Sequence, residues 1–208
     1  NPFGVLGLQD AVFASLRIAF ISTVVATILG TLIGLALTRY QFRGRGATNL
    51  FIFLPMATPE IVLGASLLTM FVAIEQPRNE LTILIAHIMF NISFVVVTVR
   101  ARLTGFPRHL EEAAMDLGCD PVQAFLRVTL PLIVPAIAAG WMLAFTLSLD
   151  DVVIASFTTG PGSATLPIRI YSEVRLGVKP EINAICTMVI ALIAVVIVVF
   201  LVTYVVPQ

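Results

Sequence analysis

Five stretches of this chain stay apolar for about the 20 residues that a helix needs to cross the hydrocarbon core of a bilayer, and few folds are open to a sequence of that kind. They cover residues 18–37, 50–74, 81–99, 132–149 and 185–206. Composition agrees: 59% of the 208 residues are hydrophobic and 12% are charged, against about 45–50% and 25% in soluble domains. The expected fold is all-α, a polytopic membrane helix bundle with five spans, forming one transmembrane domain over residues 1–208. Twelve Lys plus Arg balance twelve Asp plus Glu, so no basic patch points to nucleic acid. Cys119 lies in a polar loop and Cys186 in an apolar run, which leaves no disulfide framework, metal cluster or cofactor to expect.

Charge orients the spans. The first run ends at Arg39, Arg43 and Arg45; the third ends at Arg100, Arg102 and Arg108, and Arg127 precedes the fourth. Positive charge at span ends marks the cytoplasmic side, so the loop 105–131 is expected inside and the loop 157–182 outside, although Arg169, Arg175 and Lys179 fall in the latter. This puts Asn1 outside with no signal peptide in view. One further span is therefore expected before Asn1, in a six-span parent.

Local signals refine the picture. Ala26, Gly30 and Gly34 recur every fourth residue along one face of the first span, a seam for a closely approaching helix or simply the glycine usage of membrane helices. In the outer loop, the turn residues Gly160 to Ser163 precede a short surface helix with Pro167 near its first turn and Gly177 after its end.

The loop 105–131 is unusually ordered for a connection between spans. Residues 110–117 are good helix formers, with Gly118 as their C-terminal cap. Asp120 then caps a second short helix with Pro121 at its first position and Gln123 three residues on. Ala113 and Ala114 leave a surface without bulk, while Glu111, Glu112 and Asp116 offer acceptors to basic partners. A surface helix that merely covers the bundle would share the amphipathicity but would not require these spacings.

The run Glu112-Ala113-Ala114, then Gly118, then Val128-Thr129-Leu130-Pro131 resembles the EAA loop of ABC importer permeases, with Val128 where the family has Ile. By that resemblance Glu112, Ala113, Ala114, Gly118, Leu130 and Pro131 couple the membrane domain to a separate ATP-binding-cassette ATPase dimer. The chain carries no G-x-x-x-x-G-K-[ST] loop of its own, so ATP hydrolysis belongs to that partner and this subunit is not an enzyme. The segment 145–152, continuing to Phe157 and Gly160-Pro161-Gly162, and the segment 174–184 look like the polyamine branch, the putrescine/spermidine permeases. The resemblance implies six spans, a second permease subunit in a heterodimer, a periplasmic solute-binding protein, and a multi-pass place among the lipids of a bacterial inner membrane. A permease of the same family for another small solute is the nearest alternative, and a secondary transporter a more distant one.

A polyamine is a cation, and its route should present carboxylates and other acceptors. Asp150 and Asp151 lie about 27 Å along the fourth span from its inner end, near the outer mouth, where they receive a cation or cap a helix end. Glu60 lies about 15 Å into the second run, after Pro55 and Pro59, which are expected to break the helix near the midplane, and it faces the route or bonds in protonated form to a neighbouring helix. Asn91 shares a face with His87 and either bonds across helices or lines the route. Trp141, which shares a face of the fourth span with Phe145, offers an aromatic wall to a cation or packs in the bundle.

Overall fold

Helix α1 (Val5–Arg39) extends beyond the apolar run at its centre, and α4 (Glu80–Thr104) starts where Asn79 caps it: the Asn79 Oδ1 accepts from the Leu81 and Thr82 amides, and Thr82 Oγ1 accepts from the Asn79 amide. That reciprocal arrangement satisfies donors that a helix start otherwise leaves open. The computed structural model describes residues 5–176, 184, 187–195 and 198, and among them every regular element is helical. They fall into two compact units, Asn1–Pro167 and Ile168–Gln208, taken here one at a time. Helix α9 (Leu166–Leu176) starts at the end of the first unit, with Pro167 in its first turn as expected, and continues along the chain into the second; Gly177 and much of the expected fifth span, 185–206, lie outside the described residues.

Among the described residues three helices, all in the first unit, are long and apolar enough to cross a membrane, covering Gln9–Arg39, Glu80–Thr104 and Pro121–Asp150. The last joins α6 (Pro121–Ala124), a wide π turn (Phe125–Thr129) and α7 (Leu130–Asp150). Helices α1 and α4 run in parallel at very close approach: a methyl on Gly30 would lie 2.8 Å from Val95 Cβ, whereas one on Gly34 would make ordinary 3.6 Å contacts with Val96 O and Val99. The small-residue seam is thus real at Gly30. Between α4 and α7 the core holds Val95, Val99, Leu103, Ile133 and Ala144.

The run 50–74 is broken at Pro59. It forms two helices, α2 (Arg45–Ala57) and α3 (Glu60–Ala73), bent by 113° at Thr58–Pro59, a broken span or a re-entrant loop. The cause is local. Pro59 excludes the helical region for Thr58, which takes φ −87°, ψ 134°, and has no N–H to continue α2. The Pro59 carbonyl then accepts from Val62 and Leu63, starting α3. Ile52 of α2 packs on Leu37 and Val96, while Leu63, Leu67 and Phe71 of α3 pack on Ala86 and Ile154. Ile154 belongs to α8 (Val153–Thr158), a short helix between the fourth apolar run, which ends at 149, and the start of the loop read at 157–182.

The ends of this unit are chemically distinct. Arg39, Glu111, Arg100 and Asn49 gather at one end, where Arg100 Nη1 donates to Asn49 Oδ1 at 2.6 Å. At the other, Arg17 pairs with Glu80, and the Leu166 amide donates to Ser15 Oγ at 2.7 Å. Within this unit, Glu111 of the loop expected inside and Leu166 of the loop expected outside therefore sit at opposite ends.

Candidate functional site

At the arginine-rich end the chain leaves α4 and forms α5 (His109–Asp116). Its termination is a full Schellman motif: the Cys119 amide donates to Ala114 O at 3.1 Å and the Gly118 amide to Met115 O at 2.9 Å. Gly118 has φ +91°, the left-handed conformation that this motif demands and that a side chain resists. Asp120 follows as expected, its Oδ1 accepting from Val122 and Gln123 at 2.8 Å each, with Pro121 first in the next helix.

That next helix differs from the separate short element the sequence suggests. It runs through the π turn straight into α7, and the Leu130 amide reaches back five residues to Phe125 O. Pro131 explains the widening: it has no N–H, and its ring would strike the carbonyl four residues back in an ordinary α turn. Leu130 and Pro131 thus set the junction between loop and span.

Adjacent residues on α5 are about 100° apart around its axis, and the two neighbouring glutamates accordingly divide the labour. Glu111 turns inward, its carboxylate forked by Arg39 at the end of α1, with Nη1 to Oε2 at 2.6 Å and Nη2 on Oε1. Thr129 Oγ1 donates to the same carboxylate from the π turn. Glu112 and Ala113 point outward and are exposed, and Ala114 is half-buried. Around them Leu110, Met115, Leu117, Val122 and Leu126 are exposed, Leu117 at 88%. Sequence reasoning missed Arg39, Thr129 and the special place of Glu111. The available signal was that only one of two adjacent glutamates on a short helix can face the bundle.

Toward the other end, a polar chain crosses the interior. Ser22 Oγ lies 3.2 Å from Ser148 Oγ, Ser148 Oγ 2.6 Å from His87 Nδ1, and His87 Nε2 3.1 Å from Asp151 Oδ2. Asp151 also accepts from the Ile154 and Ala155 amides at 3.1 and 2.8 Å, capping α8. His87 therefore joins α4 to α7, and Asp151 performs the capping role. Asn91, one turn from His87, is 1% exposed, and both its side-chain polar atoms lack a partner, as do the hydroxyls of Thr23, Thr27 and Thr31 on α1. Trp141 stacks on Phe145, with centroids 5.2 Å apart, and meets Phe20 edge-on. Glu60, at the elbow that begins α3, and Asp150, at the end of α7, are both exposed. Among the described residues no cluster of His, Cys, Asp or Glu has metal-binding geometry.

Comparison with known proteins was made against this geometry. Residues 26–207 match the family described as binding-protein-dependent transport system inner membrane component. The chain is 46% identical over 196 residues to the putrescine transport system permease protein PotI of Escherichia coli (strain K12), covering 91% of this chain and 70% of that protein. It is 45% identical over 185 residues to the spermidine/putrescine transport system permease protein PotC of the same strain, covering 89% and 70%. Among solved structures, a bacterial ABC transporter involved in the import of the acidic polysaccharide alginate shares the fold, with a TM-score of 0.71 at 19% identity over 96% of this chain and 79% of that one.

Proposed function

Because the chain belongs to the family of binding-protein-dependent transport system inner membrane components, a multi-pass membrane family, we propose that it is the polyamine-conducting permease subunit of an ATP-driven importer in a bacterial inner membrane. In this reading α5 is the docking helix for the ATPase subunit, and the arginine-rich end faces the cytoplasm. The observation that carries it is α5 itself: a helix capped at Gly118, tied inward by Glu111 and presenting Glu112 and Ala113 outward amid exposed apolar side chains. Apolar surface gathered in this way marks a covered interface. ATP is hydrolysed on the docked subunit, and the work enters as a shift between inward- and outward-facing states.

Polyamine as cargo rests on the two Escherichia coli relatives whose names carry putrescine or spermidine. Carboxylates suited to such a cation stand exposed at Glu60 and Asp150, with Thr146 one turn below Asp150 on the same face of α7. A second permease subunit closes the route across from them, and a periplasmic solute-binding protein delivers the cation to the opposite end. The proposed route runs along this face. In this conformation Asp151 is bonded to His87, Trp141 is stacked on Phe145 and Asn91 is buried in the bundle interior. With the bent pair α2–α3 counted as one, the described residues supply up to four spans of the bundle. Uptake of labelled putrescine or spermidine by cells expressing the importer tests the cargo, against sulfate and a sugar as controls. Co-purification of an ATPase that is lost on Glu112→Lys tests the docking surface.

A further inference from the structure

Docking alone does not move a transmembrane helix: the docked element must be fastened to the spans it is to move. Among the described residues, α5 has one carboxylate turned into the bundle, and that carboxylate bonds two different segments at once. Glu111 accepts a forked pair of bonds from Arg39, the last residue of α1, and a third from Thr129, the last residue of the π turn that leads into α7. The cluster is shielded: the Arg39 and Glu111 side chains are 25% and 14% exposed, and Thr129 is fully buried.

We propose that Arg39, Glu111 and Thr129 form the transmission joint of the importer, through which displacement of α5 is passed simultaneously to α1 and α7. The inference rests on the function proposed above and assigns its coupling step to positioning residues, of which Arg39 and Glu111 lie outside the motif that carries the resemblance.

The chemistry suits the task. A planar guanidinium forked onto a carboxylate fixes both distance and orientation, which a single flexible contact does not. Removal of water from the pair stiffens it further. Thr129 completes the joint because the π turn brings its hydroxyl onto the same oxygen that Arg39 Nη2 contacts. The two receiving helices pack on each other as well as on α4, so a movement delivered to both is carried as a unit; delivered to only one, it would be resisted by the other. The docking face remains chemically separate, since Glu112 and Ala113 lie outward on α5. Attachment to the ATPase and transmission of its stroke are therefore separable by mutation.

The experiment uses the complete importer in proteoliposomes and reads the number of labelled polyamine molecules moved per ATP hydrolysed. Glu111→Gln keeps the shape and an acceptor for Thr129 but destroys the charged fork. The ATPase should still co-purify and hydrolyse ATP, while transport per ATP falls by about tenfold, the size of a typical lost coupling. The reversal pair Arg39→Glu with Glu111→Arg should recover most of that ratio, which a merely structural role for either residue does not predict. An unchanged ratio in Glu111→Gln, or loss of the ATPase from that variant as from Glu112→Lys, overturns the joint while leaving the permease assignment in place. A wild-type chain that purifies with no ATPase overturns the function and the joint together.

Discussion

Replacing Gly30 by alanine should loosen the α1–α4 contact, and Gly34→Ala provides its internal control. A Cβ at Gly30 would sit 2.8 Å from both Val95 Cβ and Cγ1 and 3.3 Å from Ile92 O. Reaching ordinary contact at 3.4 Å requires 3.4 − 2.8, about 0.6 Å of separation, and Val95 Cβ cannot swing aside because it is fixed to the backbone. Overpacking of this kind costs about 1–3 kcal/mol, while removing a helical glycine returns about 0.8–1.0 kcal/mol. Gly30→Ala alone should therefore be destabilising by about 1 kcal/mol. At Gly34 the added methyl meets nothing closer than 3.6 Å, so only the favourable term remains. The propensity terms cancel in the difference, which isolates the packing cost: Gly34→Ala should be about 1–3 kcal/mol more stable than Gly30→Ala. Equilibrium unfolding of the purified chain in mixed micelles, followed by circular dichroism, reads this difference. Equal stabilities within about 0.5 kcal/mol, or a more stable Gly30→Ala, would refute the close approach.

Three further outcomes follow from the site. Gly118→Ala forces a side chain into the left-handed conformation at a cost of about 1–2 kcal/mol, and should weaken ATPase pull-down without changing the amount of chain inserted in the membrane. Asp151→Ala removes the α8 cap and the His87 partner, lowering unfolding stability by about 1–3 kcal/mol, whereas Asp150→Ala should have little effect in the same assay. Glu60→Gln and Asp150→Asn should each reduce polyamine uptake severalfold at normal expression; if both leave it unchanged, the proposed route lies elsewhere.

What the sequence made legible was whatever is decided within a few residues. The Gly118 cap, the Asp120–Pro121 start and the Pro167 start of α9 all depend on local backbone chemistry, and all are present. The prolines around residue 58 signalled a broken helix, but a 113° bend is set by how α3 packs against α8 and α4, which no local rule contains. The same limit hid the joint and the polar chain. Arg39 and Glu111 are 72 residues apart, and His87 and Ser148 are 61 apart; until the register of α1, α4 and α7 is known, such partners cannot be chosen from the other polar residues on the same faces. The π turn is a further case, since a proline at 131 announces a disturbed helix without saying whether it will kink, end or widen. The EAA resemblance drew attention to Glu112, and it is the packing that distinguishes its inward neighbour.

The central claim, that the outward face of α5 meets an ATPase on the cytoplasmic side, is tested most directly by thiol accessibility at Ala113→Cys with the half-buried Cys119 and the other native cysteine, Cys186, both changed to Ser. A membrane-impermeant maleimide should label Ala113→Cys in inside-out vesicles and not in right-side-out vesicles, and bound ATPase should protect it. Labelling from the outside, or labelling indifferent to the ATPase, would contradict the account.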